Sequence, residues 1–178
     1  MLNFRLLHMS ALMSANWKAL DRQQLETTTQ SEWLRELHSM TDRLKCYCVT
    51  LDVNVLGLHQ CEVNVLTESE RSLLGNEACF VREVLLFGDN MPWLYARTLV
   101  PMSTLTEQEE DIVYLGAVPL GQRVFSRTNA RRDEIEVATV VIEGKTLLAR
   151  RSRLWANNKP MLVSELFLPQ APIYHGNC

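Results

Sequence analysis

Met161-Leu162-Val163-Ser164-Glu165-Leu166-Phe167-Leu168-Pro169 is an almost unbroken apolar run with one carboxylate at its centre. It is too short to cross a membrane and a proline stops it, so it reads as a buried strand. At a period of two, Glu165 shares a face with Met161, Val163 and Phe167, while Leu162, Ser164, Leu166 and Leu168 take the other. A glutamate on an apolar face loses hydration, which is costly unless a partner or a ligand compensates. One account is therefore a buried structural ion pair, and the other is a binding site.

The chain before this stretch reads as hairpins. Asn157-Asn158-Lys159 turns into it from a strand over Leu147 to Trp155 that carries Arg150, Arg151 and Arg153. Gly144-Lys145 turns into that strand from another over Asp133 to Ile142, and Arg127, Arg131 and Arg132 fall in a loop before it. Residues 121–160 hold nine of the eighteen Lys and Arg against four acids. That excess is either an electropositive wall for an anionic substrate or a solvated sheet face, and the second account suits most of these arginines. Only Phe125 and Trp155 are aromatic there, too few for a platform that stacks single-stranded nucleic acid.

Val81 to Phe87 is a further strand, with Arg82 beside Val84 and Leu86 on one face. An arginine between aliphatic neighbours is unusual, because guanidinium keeps its charge. It is either an edge-strand residue reaching to water or an anion ligand. Gly88-Asp89-Asn90 forms a hairpin turn into Trp93 to Val100, which Pro101 closes. Thr106-Glu107-Gln108-Glu109 has the form of a capping box, opening a helix to Tyr114-Leu115 before Gly116. Pro119 suits a first helical position, so Leu120 presents its amide at a helix start.

Towards the N-terminus, Cys46 to Val55 alternates as a half-buried strand, Gly57 turns, and Cys61 to Leu66 forms a short partner. Thr67-Glu68-Ser69-Glu70 opens a capped helix that Gly75 ends. Ser31 caps a helix to Ser39 with Leu34 and Leu37 on one side, and Ser39 caps a second, short one with Asp42 in its first turn. That places the amide of Met40 at another helix start. Residues 1 to about 30 are weakly patterned, with Trp17, Leu20 and Leu25 available to pack a short helix, and the chain after Pro169 is a tail. Together these elements predict a single α+β domain over residues 1–178, built on an antiparallel sheet.

Composition narrows the chemistry. The chain has 178 residues, 47% of them apolar, and a formal net charge of −3, which disfavours a nucleic-acid binder held by bulk charge. Five cysteines without a C-x-x-C pair fit a reducing compartment, and no signal peptide or membrane span is expected. The seven glycines make neither a dinucleotide fingerprint nor a phosphate loop. The four histidines lack metal-ligand spacing, and there is no G-x-S-x-G elbow. Catalysis, if any, falls to arginine, carboxylate and oriented amides.

Several blocks together resemble the chorismate–pyruvate lyase family of ubiquinone biosynthesis. They are Val81-Arg82-Glu83-Val84-Leu85-Leu86, Pro92-Trp93-Leu94, Arg97-Thr98-Leu99-Val100-Pro101, Ser103-Thr104-Leu105, Pro119-Leu120-Gly121, Arg150-Arg151-Ser152-Arg153-Leu154 and Glu165-Leu166-Phe167-Leu168-Pro169. Before residue 80 only Ser39-Met40-Thr41 adds to the likeness. The chain departs at Ser164, where threonine is expected, and at Ala96, where glycine is expected. The segment beyond Tyr174 is also longer than expected.

The resemblance implies about six antiparallel strands with a ligand cavity under helical flaps, and conversion of chorismate to 4-hydroxybenzoate and pyruvate without metal or organic cofactor. It implies that Arg82 pairs with the ring carboxylate, helped by the amides of Met40 and Leu120, and that Glu165 meets the hydroxyl end. Arg82 and Glu165 are then the catalytic residues, and all four bind substrate. A cytoplasmic monomer is expected, with chorismate and 4-hydroxybenzoate as its small-molecule partners. Two other classes stay open: a small-anion sensor resembling the effector domains of GntR-type regulators, and an arginine-rich adaptor for an acidic partner.

Overall fold

The computed structural model describes residues 2–20, 27–127 and 129–175. Among them five α-helices occur, α1 (Leu2–Met13), α2 (Thr28–Leu34), α3 (Met40–Lys45), α4 (Glu68–Leu74) and α5 (Leu120–Arg127). The strands are β1 (Lys18–Ala19), β2 (Leu51–Cys61), β3 (Cys79–Gly88), β4 (Met91–Pro101), β5 (Ala130–Ile142), β6 (Lys145–Ala156) and β7 (Lys159–Phe167). All seven form one antiparallel sheet in the order β1-β5-β6-β7-β4-β3-β2. Six long strands match the expectation, and the two-residue β1 adds a seventh. The hairpins form where the sequence signals them: Asp89, Asn90, Glu143, Gly144, Asn157 and Asn158 all take positive φ, as tight two-residue turns demand.

The register decides which side chains share a face. Val84, Ala96, Glu165 and Arg150 align across β3, β4, β7 and β6, and Arg82, Thr98, Val163 and Ser152 form the parallel row two residues away. On this front face two apolar clusters lie apart. One packs Trp33, Leu34 and Leu44 of α2 and α3 against Val84, Leu94 and Phe167. The other packs Val124 of α5 against Leu154, Met161 and Val163. The back face carries Leu85, Tyr95 and Leu166 under Leu12 of α1, and Val81, Leu99 and Leu162 under Leu74 of α4. Each fully buried Leu, Val or Phe stabilises the sheet by about 1.5–3 kcal/mol, so both helical layers are firmly held.

Several local expectations change. β2 runs straight through Gly57 to Cys61 with a bulge there, and Val63–Val65 is a 3₁₀ turn, not a partner strand. Gly57 is needed for space: a Cβ would lie 2.8 Å from Glu83 Oε2. The helix before α3 begins earlier, with Thr27 and not Ser31 as its cap, and Leu37 is exposed. Glu107–Tyr114 is a 3₁₀ helix without a capping box. The segment after Pro169 is no loose tail, because Ala171, Pro172 and Ile173 are buried and Tyr174 hydrogen-bonds Leu148 and Phe167. Residues 2–13 form a full helix. Leu25 and Cys178 lie outside the described residues.

Candidate functional site

Between the two front-face clusters the sheet is polar, and a pocket opens there. Its walls include Arg82, Val84, Ala96, Thr98, Arg132, Val163 and Glu165 from the sheet, Met40 and Thr41 from α3, and Pro119, Leu120 and Gly121 at the start of α5. All four residues singled out in the sequence therefore meet at one place. The space unfilled by protein atoms is about 550 Å³ including the mouth. It is a narrow slot.

The two helix starts are brought together by close packing. Ser39 caps α3 by accepting a hydrogen bond from the amide of Asp42 at 3.2 Å. A Cβ on Gly121 would come within 2.9 Å of that same Ser39 hydroxyl, so glycine lets α5 abut α3. Arg123 of α5 is in turn held by Asp111, Nε to Oδ1 3.0 Å, which fixes the helix against the 3₁₀ segment. Met40 and Leu120, the first residues of α3 and α5, then both border the slot.

Arg82 is not at a sheet edge and does not reach water. It is 2% exposed, on a strand flanked by β2 and β4. Its Nη2 donates to the carbonyls of Gly116 (2.8 Å) and Val118 (2.9 Å), just before α5, while its buried Nε has no partner. Among the described residues no carboxylate pairs with it, and burial alone pulls its pKa below the ordinary arginine value. A desolvated guanidinium with an unmet donor and no acid beside it would gain free energy from an anion placed against it.

Glu165 is 4% exposed and has the buried ion pair that its sequence position allows. Arg150, fully buried and opposite it in register, donates from Nε to Glu165 Oε2 at 2.7 Å and from Nη1 to the carbonyl of Glu36 at 2.6 Å. The pair is structural, yet Glu165 also lines the slot, and only Oε2 is engaged by Arg150. Arg82 and Glu165 stand two strands and two residues apart on one face, about 12 Å between Cα atoms. Long side chains reaching inward from that separation leave room for one ring.

Most arginines of 121–160 do not form a solvated face, although Arg127 and Arg131 are exposed. Arg150 and Arg151 are buried, and Arg151 and Arg153 pair with Glu136 and Asp133. Arg131 and Arg132 sit in β5, not in a loop. Arg132, which sequence reasoning placed outside the site, lines the slot. Its only signal was the local arginine excess. The back face has a buried polar band too, and there Arg97 pairs with Glu70 at 2.5 Å and Arg5 with Glu83, Nε to Oε2 2.7 Å.

Among the described residues no cluster of His, Cys, Asp or Glu is suited to a metal, and no helix is long and apolar enough to cross a membrane. The family model described as chorismate lyase matches residues 11–177. Similar curated proteins include a probable chorismate pyruvate-lyase of Photobacterium profundum, 45% identical over 98% of this chain and 97% of the relative. Another, from Aliivibrio fischeri, is 46% identical over 93% of this chain and 92% of its own. Among solved structures, the effector domain of PhnF from Mycobacterium smegmatis has a TM-score of 0.52 at 13% identity, covering 74% of this chain and 89% of that one. The ligand-binding domain of a putative GntR-family transcriptional regulator from Bordetella bronchiseptica gives 0.52 at 13% identity, over 68% and 86%. At such identities those two likenesses speak for the fold alone.

Proposed function

The chain belongs to the chorismate lyase family, and from that premise we propose that its front-face slot converts chorismate into 4-hydroxybenzoate and pyruvate, the entry to ubiquinone synthesis. The observation that carries the site assignment is Arg82: a buried cation with an unmet Nε and no acid beside it. The ring carboxylate supplies the missing charge, helped by the amides of Met40 and Leu120, residues that line the same slot. Glu165 receives the ring hydroxyl at the far end through Oε1, since Arg150 engages Oε2.

The reaction asks little bond-breaking power of these groups. The C3–oxygen ether bond breaks, a hydrogen leaves C4, and the ring becomes aromatic. The methylene carbon of the departing enolpyruvate takes up a proton to give pyruvate. Aromatisation drives the step, so the protein contributes mainly by holding the reacting conformer and stabilising charge as it develops. Slot walls such as Val84, Ala96 and Val163 keep the ring out of water. No step calls for a metal or a redox cofactor. We place the activity in the cytoplasm, in a monomer whose residues 1–178 form one lyase domain.

The test is to mix the pure protein with chorismate and follow 4-hydroxybenzoate absorbance. Product should accumulate with an equal amount of pyruvate. Arg82→Ala should lose most turnover, and its affinity for 4-hydroxybenzoate should fall about 100-fold or more, as loss of a charge-assisted contact implies. A sensor with the same fold would bind the benzoate and leave chorismate intact, which would reject the catalytic reading.

A further inference from the structure

The slot contains a second unmatched guanidinium, and the proposed substrate has a second carboxylate. We propose that Arg132, held in place by the Ser152 hydroxyl, forms the subsite for the carboxylate of the enolpyruvyl side chain, a contact that chorismate makes and 4-hydroxybenzoate does not. This rests on the reading of the slot given above and extends it to substrate discrimination.

Arg132 donates only to neutral acceptors: the Ser152 hydroxyl, and the carbonyls of Leu37 (Nε, 3.3 Å) and His38 (Nη2, 3.5 Å). Among the described residues no carboxylate forms an ion pair with it. The nearby acids are already engaged, Glu165 with Arg150 and Glu36 with Arg43 at 3.1 Å. Although part of the side chain reaches the surface, burial and then the positive charge of Arg150 lower its pKa to about 10. Of the guanidiniums in and around the slot, Arg150 is paired with Glu165, whereas Arg82 and Arg132 have no ion-pair partner among the described residues, although Glu165 and Glu36 lie near enough to attract Arg132. Chorismate brings two carboxylates.

Position agrees with charge. Arg82 and Ser152 close the two ends of one cross-strand row, three interstrand spacings or about 14 Å apart between Cα atoms. Glu165 lies on the intervening β7, in the adjacent row. A ring held with its carboxylate at Arg82 and its C4 hydroxyl at Glu165 has C3 beside C4, so the C3 ether projects sideways along the sheet. On the β6 side the next cation is Arg132, already drawn over Ser152. After the ether breaks, the second carboxylate leaves with pyruvate.

The test compares two stable aromatic ligands by calorimetry: 4-hydroxybenzoate bearing a methoxy group at C3, and the same ring bearing a carboxymethoxy group there. The wild-type protein should bind the dicarboxylate more tightly, by about tenfold or more from one extra charge-assisted contact. Arg132→Gln should erase that preference while changing 4-hydroxybenzoate affinity less than about threefold, and should lower kcat/KM for chorismate by at least the same factor. Arg82→Gln should weaken both ligands together. Equal wild-type affinities for the two would overturn the proposal whether or not the variant folds. So would an Arg132→Gln protein that loses 4-hydroxybenzoate and the dicarboxylate alike. Neither result touches the lyase assignment, which fails only if the wild-type protein leaves chorismate unchanged.

Discussion

Replacing Glu165 by glutamine tests the two roles of one carboxylate. The change leaves Arg150, which is fully buried, without its counter-charge. Removing one partner of a buried pair costs about 3–5 kcal/mol. The glutamine carbonyl still accepts a hydrogen bond from Arg150 Nε, and Nη1 keeps the Glu36 carbonyl, so a smaller loss of about 2–3 kcal/mol is expected. For a chain of this size that is a fall in Tm of about 5–10 °C. The paired variant Glu165→Gln/Arg150→Met removes the stranded charge and should recover most of the loss in thermal unfolding. Activity must then be compared at a temperature where all forms are folded. An orienting Glu165 predicts a loss of about tenfold in single turnover, and a proton-accepting one about 1,000-fold. Melting of Glu165→Gln within about 1 °C of the parent would refute the reasoning, because Arg150 would then need no acid to remain buried.

Other perturbations probe the frame of the slot. Gly121→Ala drives a methyl into the Ser39 hydroxyl that caps α3; the cap bond, about 1 kcal/mol, should be lost and KM for chorismate should rise with little change in unfolding at high substrate. Unchanged kinetics would show that α3 and α5 need not abut. Tyr174 donates to the Phe167 carbonyl and accepts from the Leu148 amide, and burial pushes its pKa up to about 12. The unfolded phenol ionises near 10, so stability is intact below that pH and falls by roughly 2–3 kcal/mol as pH rises from about 10 to about 12. Tyr174→Phe should be less stable at neutral pH but flatter in alkali; an equally steep alkaline loss would exclude Tyr174 as its source.

Much of the sheet was legible because its turns need unusual backbone. Asp89-Asn90 and Asn157-Asn158 adopt positive φ that few other residues tolerate, and their flanks alternate. Gly57 misled for an instructive reason: glycine there serves the close approach of Glu83 and Arg5 across the back face, not a reversal of the chain. Thr106 carries a capping signature, but Glu109 spends its carboxylate on Asn157 and Lys159 instead of on the helix start. Local pattern cannot see a tertiary partner. The same limit governed the site. Arg82 and Glu165 stood out because a charge interrupts an apolar strand, whereas Arg132 sits in polar sequence and only the register carries it to Ser152.

The contrast between the two sheet faces explains how a fold shared with effector domains can serve as a lyase. Buried charge on the back face is closed upon itself, since Arg97, Arg151 and Arg5 each have an acid. That band needs no ligand and can only hold α1 and α4 in place. On the front face Arg82, which is buried, and Arg132, which is partly so, have none among the described residues, and a guanidinium that loses water without gaining a counter-charge is destabilising. A neutral ligand relieves neither, a monocarboxylate relieves one, and a dicarboxylate relieves both. With the Arg132 subsite proposed above, the slot would favour substrate over product by the contact that the reaction destroys. Charge that goes unpaired in the folded chain is then the source of selectivity, and Glu165 must stay paired with Arg150 so that the count remains two.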